Sequence, residues 1–205
     1  MTHRLATAIL AAALVAPLPV PGSAAARVAA DTLEVATFAG GCFWCMEEAF
    51  DEVGGVVTTT SGYTGGRVDE PTYEQVSGGR TGHVEAVRVI FDPAVVTYEE
   101  LLDTFWRTVD PTDDGGQFCD RGSQYVSVVY VRNERQRKLA EVSKETLARS
   151  RPFAILTPIR PATTFWAAEE YHQDYYRKNP VRYRFYKFNC GRKARLDDLW
   201  GSAGG

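Results

Sequence analysis

The feature that most constrains this chain is the segment Gly-Gly-Cys-Phe-Trp-Cys at residues 40–45, which joins an alternating apolar stretch to an amphipathic one. Residues 33–38 alternate as a half-buried strand does, and residues 42–53 carry apolar side chains at helical spacing. A helix that begins there has unpaired backbone N–H groups at its N-terminus, and its dipole favours negative charge. We therefore expect Cys42 to be biased toward the thiolate, the form that attacks electrophiles.

Cys45 follows Cys42 by one helical turn, so the two sulfurs are expected to come close enough for a strained, reducible disulfide. This spacing indicates thiol redox chemistry. Two other interpretations stay open. A zinc site normally brings a second pair of ligands at matching spacing, whereas Cys119 and Cys190 stand alone in the sequence. A purely structural disulfide would remove little chain entropy from so short a loop.

Length and charge limit the class of protein. The chain has 205 residues, of which 44% are hydrophobic, and this is enough for one domain with a substantial core. Its formal net charge is −3 and it has no basic stripe, so nucleic acid is not an expected partner.

Residues 1–30 resemble a secretory signal peptide. Arg4 gives a positive start, residues 5–15 form a short apolar stretch, and small residues offer cleavage after Ala26 or Ala30. An uncleaved anchor is the alternative. The signal predicts an exported protein, periplasmic or secreted, in an oxidising compartment. Residues 31–205 are then expected to form a single catalytic domain, and we expect a monomer.

The order of predicted elements indicates the fold. After the first strand and helix, the pattern predicts a strand over 56–61, a glycine-rich loop over 62–82, a strand over 84–91, a helix from 97 to 107, a polar loop over 110–124 and a strand over 125–131. With right-handed crossovers this order makes an α/β (α+β) fold, a ferredoxin-like split βαβ two-layer sandwich.

The C-terminal part is predicted to add helices and an extended tail. The expected elements are a charged helix to about residue 149, an edge strand over 153–159, a helix over 165–177 and a coil-rich tail from about 180 to 205.

Glu85 is a candidate general acid. It lies at the start of the strand over 84–91, on the side that also carries Val87, Val89 and Phe91. A carboxyl group on an apolar face tends to keep its proton to higher pH. A strand-end glutamate that faces water is the alternative.

Seven short motifs resemble the A-type peptide methionine sulfoxide reductases, in that family's order and over essentially all of the mature chain. They are Gly-Gly-Cys-Phe-Trp at 40–44, Ser-Gly-Tyr-Thr-Gly-Gly at 61–66, Pro-Thr-Tyr at 71–73, Thr-Gly-His-Val-Glu at 81–85, Asp-Pro-Thr at 110–112, Asp-Arg-Gly-Ser-Gln-Tyr at 120–125 and Glu-Glu-Tyr-His-Gln at 169–173.

The resemblance implies that Cys42 attacks the sulfur of a methionine S-sulfoxide, free or in oxidised proteins, and becomes a sulfenic acid. Phe43 and Trp44 would form the apolar wall that receives the substrate's methyl group. Glu85 would hold and protonate the sulfoxide oxygen. The remaining catalytic residues implied are the hydrogen-bond donors Tyr73 and Tyr125, with Asp120 beside them.

The resemblance also implies an intramolecular disulfide that a thioredoxin-like dithiol donor reduces, with no bound cofactor and no metal. The family often resolves its sulfenic acid with a cysteine of the C-terminal tail, for which Cys190 is the candidate. Cys45 stands where that family usually has glycine. Proximity to Cys42 favours Cys45 as the resolving cysteine, and Cys119 is the third choice.

Two functions of other classes compete with protein repair by this enzyme. A general disulfide oxidoreductase would use Cys42 and Cys45, but the thioredoxin arrangement needs a cis-proline facing the pair and has no acid–tyrosine cluster. A non-catalytic binding module would capture apolar side chains on Phe43 and Trp44. It predicts that a Cys42→Ser protein keeps its whole biological effect.

Overall fold

The computed structural model describes residues 33–201. The strands in this range are β1 (Glu34–Gly40), β2 (Val56–Thr64), β3 (Val84–Phe91), β4 (Gly116–Gln117), β5 (Asp120–Arg121), β6 (Ser127–Val131), β7 (Ile159–Pro161) and β8 (Phe165–Ala167). The α-helices are α1 (Phe43–Asp51), α2 (Tyr73–Ser77), α3 (Tyr98–Thr108), α4 (Glu134–Ser150), α5 (Tyr175–Lys178), α6 (Pro180–Asn189) and α7 (Arg192–Trp200). Short 3₁₀ turns cover Ser123–Tyr125 and Glu170–His172.

The central sheet has the order β7-β6-β1-β3-β2-β8. β3 runs antiparallel to both β1 and β2, so β1 and β2 are parallel to each other with β3 between them. β6 pairs antiparallel with the other edge of β1. This is the split βαβ arrangement, and the predicted fold class is confirmed.

Helices cover one face of this sheet. Phe38 of β1 stacks on Phe50 of α1 at 4.9 Å and on Phe105 of α3 at 5.3 Å between ring centroids. All three rings are fully buried. Truncating one buried ring to alanine typically costs about 3–5 kcal/mol, so this contact is a main support of the two layers. The opposite face carries a smaller buried cluster, against which Phe165 of β8 packs; its members are Ala39, Val84, Ala86, Val128 and Tyr130.

The C-terminal segment departs from its prediction. The coil-rich tail expected from about residue 180 is helical, because Pro180 occupies the first turn of α6 and pre-sets its backbone, and α7 follows directly. Arg192 is buried and donates to the carbonyl oxygens of Thr108 at 2.6 Å and Gly40 at 3.0 Å. These bonds fasten the tail to the end of β1, where the candidate site begins.

Two smaller predictions are also wrong. The helix expected over 165–177 is replaced by β8, a 3₁₀ turn and the short α5, because Phe165–Ala167 pair with the edge of β2. The edge strand expected over 153–159 starts at Ile159 and runs parallel to β6.

The predicted signal peptide, residues 1–30, lies outside the described residues. Within residues 33–201, every helix is too short or too polar to cross a membrane.

Candidate active site

The candidate site begins where β1 passes into α1. Cys42 caps α1, and Gly41 before it has φ +78°, a left-handed conformation that suits glycine. A Cβ on Gly41 would lie 2.6 Å from the side chain of buried Gln117, and one on Gly40 would lie 2.3 Å from the Met46 sulfur. The two glycines therefore let the chain turn tightly enough to place Cys42 at the end of the sheet.

Glu85 faces the same helix start from β3. Its side chain is 3% exposed, and its Oε2 accepts a hydrogen bond of 3.0 Å from the backbone N–H of Phe43. Burial raises the pKa of Glu85 to about 8, with a further contribution from the negative charge of Asp120. Glu85 is therefore a predominantly neutral acid at pH 7, placed beside Cys42.

One small cavity holds the predicted residues together. Its volume is about 90 Å³, so it admits the end of a side chain rather than a whole amino acid. The cavity is lined by Cys42, Phe43, Trp44, Tyr73, Glu85, Asp120, Tyr125 and Tyr186. The structure thus brings together all seven residues that the sequence placed around the substrate and adds Tyr186.

The two thiols Cys42 and Cys45 are free and buried, at the two ends of the first turn of α1. They form a coupled pair in which the hydrogen bond from Cys42 lowers the pKa of Cys45 to about 6, assisted by the positive charge of Arg192. Burial raises the pKa of Cys42, followed by its contacts with Cys45. The expected bias toward a Cys42 thiolate is therefore wrong for the resting pair. The first N–H of α1 serves Glu85 instead, and the lower pKa of the pair belongs to Cys45.

Residues that follow β8 hydrogen-bond to the aromatic residues that line the cavity. His172 accepts a hydrogen bond of 3.2 Å from the indole of Trp44 and lies 4.5 Å from the Tyr73 ring. Burial lowers the pKa of His172, which keeps it a neutral acceptor. Glu169 accepts from the Tyr73 backbone at 2.8 Å and from the Tyr63 hydroxyl at 2.9 Å. His172 and Glu169 therefore position the wall of the cavity, and the sequence motif at 169–173 did not by itself indicate this role for Glu169.

Comparison with known proteins identifies the family. The family model of peptide methionine sulfoxide reductases matches residues 34–203. The chain therefore belongs to the peptide methionine sulfoxide reductases. It is 51% identical over 173 residues to peptide methionine sulfoxide reductase MsrA 2 of Staphylococcus aureus, covering 83% of this chain and 98% of that protein. This reductase is thus of the A type, an oxidoreductase that reduces methionine sulfoxide.

Solved structures agree with this assignment. The reduced form of Mxr1 from Saccharomyces cerevisiae has a TM-score of 0.70 and 34% identity, covering 73% of this chain and 87% of Mxr1. Mxr1 in complex with Trx2 has a TM-score of 0.52 and 25% identity, covering 71% of this chain and 86% of that chain.

The other two cysteines of the reductase, Cys119 and Cys190, form a disulfide. Cys119 precedes Asp120 in the β4–β5 hairpin, and Cys190 ends α6. Cys190 is therefore fastened near Asp120, which lines the cavity, rather than lying in a free tail. The donor atoms of Cys119, Asp120 and Cys190 lie within 4.8 Å of one another, but the two sulfurs are bonded to each other and so cannot act as thiolate ligands for a metal.

Tyr186 is the cavity residue that the sequence reasoning did not single out. It lies on α6, three residues after Tyr183. Tyr183 belongs to a buried cluster with Cys42 and Cys45, and Tyr186 packs against that cluster. Tyrosines at this spacing after a proline would have indicated a helix with a buried aromatic face. The expectation of a coil-rich tail concealed that signal.

Proposed function

We propose that Cys42 is the nucleophile of this reductase and that its substrate is the S epimer of methionine sulfoxide, free or in oxidised proteins. The Cys42 sulfur forms a bond to the sulfoxide sulfur, and the sulfoxide oxygen takes a proton from Glu85. The oxygen then passes to Cys42, so that methionine leaves, the substrate sulfur is reduced by two electrons, and Cys42 becomes a sulfenic acid. Cys45 receives the proton that Cys42 loses.

The observation that carries this proposal is a buried, neutral carboxyl beside a buried thiol in one cavity. A sulfoxide is a poor electrophile until its oxygen is protonated or strongly hydrogen-bonded, and a neutral acid supplies the proton. Tyr73 and Tyr125 line the same side, and burial raises the pKa of both phenols, which keeps them hydrogen-bond donors. Phe43 and Trp44 give the methyl group an apolar wall, with Asp120 at the rim.

We propose Cys45 as the resolving cysteine. Its sulfur shares a hydrogen bond with Cys42, and its lowered pKa makes it a ready nucleophile toward the sulfenic acid. Cys45 gives up the proton that it took from Cys42 as its sulfur attacks, so the Cys42–Cys45 disulfide forms and the sulfenic oxygen leaves with that proton as water. Cys190 and Cys119 are the alternatives, and both are already bonded to each other. Loosening of the first turn of α1 would let the two sulfurs meet.

A thioredoxin-like dithiol donor would then reduce the enzyme disulfide. The solved complex of Mxr1 with Trx2, a relative of this fold, supports a partner of this class. We further propose that residues 1–30 direct export, to the periplasm or outside the cell, that the mature chain starts after Ala26 or Ala30, and that it acts as a monomer. N-terminal sequencing of the exported protein and sedimentation equilibrium would check these three points.

The function is tested by assaying both epimers of a blocked methionine sulfoxide with dithiothreitol as reductant. We expect turnover of the S epimer, none of the R epimer, and none of either in a Cys42→Ser variant. Reduction of disulfide substrates without sulfoxide turnover would instead support a general disulfide oxidoreductase.

The resolving cysteine is tested by peptide mapping after one turnover without reductant. The proposal predicts a Cys42–Cys45 disulfide together with an intact Cys119–Cys190 disulfide. Cys42 bonded to Cys190 would contradict it.

A further inference from the structure

The cavity has two chemically different sides. Glu85, Tyr73 and Tyr125 form the side that faces the sulfoxide oxygen in the proposed mechanism, and burial followed by the negative charge of Glu85 raises the pKa of both tyrosines. Tyr186 belongs to the other side, where it packs against the buried cluster that contains Cys42 and Cys45. Tyr186 thus lines the same cavity as the attacking sulfur.

Tyr186 is held in this position by a closed ring of contacts. Its hydroxyl donates a hydrogen bond to Oδ2 of Asp120. Asp120 follows Cys119, which is bonded to Cys190, and the Cys190 N–H donates to the Tyr186 carbonyl at 2.9 Å. The ring of Trp44 meets that of Tyr186 edge-on at 5.9 Å. A side chain fixed at both ends and on one face has few accessible rotamers. A hydrogen-bond donor to the Cys42 sulfur needs such a restricted position.

We propose that Tyr186 is a further catalytic residue of this reductase, whose hydroxyl donates a hydrogen bond to the Cys42 sulfur and stabilises it as the attacking thiolate. The inference rests on the proposed role of Cys42 as nucleophile. In the resting pair, Tyr183, Arg192 and Lys187 favour negative charge on Cys45. Tyr186, which lines the same cavity as Cys42, opposes them by lowering the pKa of Cys42.

Tyr186 thus moves the proton shared by the two thiols toward Cys45 at the moment when Cys42 must attack. Burial raises the pKa of Tyr186 itself, followed by the charges of Cys42 and Cys45, so the phenol remains a donor throughout the reaction. Asp120 accepts the same hydroxyl proton when Cys42 is protonated, which gives the hydroxyl a partner in both states. The titratable groups around Cys42 come from several elements: Cys45 on α1, Glu85 on β3, Tyr73 on α2, Asp120 on β5, Tyr125 on the 3₁₀ turn and Tyr186 on α6.

The test compares Tyr186→Phe with wild type in a Cys45→Ser background. With the Cys119–Cys190 disulfide intact, Cys42 is then the single free thiol of the chain. The rate of alkylation by iodoacetamide, measured against pH, reports the Cys42 thiolate without any sulfoxide. A hydrogen bond to an ionised group is strong enough that we expect the Cys42 pKa to rise by about one unit in the variant. With Cys45 present, methionine formation in a single turnover at pH 7 should fall about tenfold.

Tyr176→Phe is the matched control. The Tyr176 ring packs against the same cluster as Tyr186 and its hydroxyl also donates to an aspartate, Asp51, at 2.8 Å, but Tyr176 does not line the cavity. It should leave the pKa of Cys42 unchanged. A second variant replaces Tyr186 by a fluorinated tyrosine, which keeps the shape of the side chain. Its hydroxyl group is a stronger hydrogen-bond donor, so the pKa of Cys42 should fall. Equal alkylation profiles for the tyrosine, phenylalanine and fluorotyrosine proteins would overturn the proposal. If the wild type itself reduces no sulfoxide, the proposed function fails, whereas an active wild type with an unaffected Tyr186→Phe refutes only this inference.

Discussion

Replacing Glu85 by glutamine should make the reductase both slower and more stable. Glutamine keeps the size of the side chain and an oxygen that accepts the Phe43 N–H, but it has no carboxyl proton to give. General acids contribute about 10²–10⁴-fold to rates, so we expect kcat/KM for the S-sulfoxide to fall by at least about 100-fold. The stability follows from the pKa of Glu85, which burial raises from 4.5 to about 8.

The sign of this stability effect can be worked out from proton binding. Between pH 4.5 and 8 the folded protein holds a proton on Glu85 that the unfolded chain has lost, so the free energy of unfolding decreases as pH rises. At pH 7 the penalty is about 3 kcal/mol, taking ~1.4 kcal/mol for each pH unit above the unfolded pKa. Glu85→Gln removes that penalty. Urea unfolding at pH 7 should therefore show the variant to be more stable, with a smaller difference at pH 5.

Glu47→Gln is the matched control. Glu47 is a second buried carboxyl on α1, which accepts from the Asp174 backbone at 3.0 Å and lies outside the cavity. Burial raises its pKa to about 7. Its glutamine variant should also be more stable at pH 7 but should keep wild-type kcat/KM. The account would be refuted if Glu85→Gln retained more than a third of wild-type activity, or if it were less stable than wild type at neutral pH.

Four further outcomes are expected. The pH profile of kcat/KM should be bell-shaped. It should rise near pH 6 as the thiol pair ionises and fall near pH 8 as Glu85 loses its proton. The falling limb should be absent in Glu85→Gln. Cys45→Ser should form the first equivalent of methionine but lose at least about tenfold in steady-state turnover, measured by rapid quench against a thioredoxin-coupled assay. Gly41→Ala should lower the free energy of unfolding, measured in urea, by about 2–4 kcal/mol, because the left-handed backbone at Gly41 and the buried Gln117 both oppose a Cβ. Gly54→Ala is the control and should change the free energy of unfolding little, since the space around Gly54 is open. Trp44→Ala should raise KM about fivefold by removing apolar contact with the substrate's methyl group, as steady-state kinetics with the blocked sulfoxide would show.

The part of the site that could be predicted is the part that strand order controls. The alternation over 84–91 gave the face of Glu85, and the split βαβ order brings the start of α1 and the start of β3 to one edge of the sheet. The family motifs supplied Tyr73, Tyr125 and Asp120, whose loops have no periodic pattern of their own.

The ionisation of the thiols could not be read from the local sequence. The helix N-terminus favours an anion, but the N–H group that would have served the Cys42 sulfur is taken by Glu85, 42 residues along the chain. Arg192 and Lys187, which favour charge on Cys45, lie more than a hundred residues away, on helices that the sequence reasoning did not expect. The position of Tyr186 depends on the same helices. Charge at a buried site is thus set by tertiary neighbours, which a motif does not contain.

The claim that Cys42 receives the sulfoxide oxygen can be measured directly by trapping the sulfenic acid. A Cys45→Ser protein with its Cys119–Cys190 disulfide intact would be mixed with one equivalent of S-sulfoxide and dimedone, and its peptides would be mapped by mass spectrometry. We predict one methionine formed per enzyme molecule and the dimedone adduct on Cys42 alone. Formation of methionine with the adduct elsewhere, or with Cys42 recovered as an unmodified thiol, would contradict the mechanism.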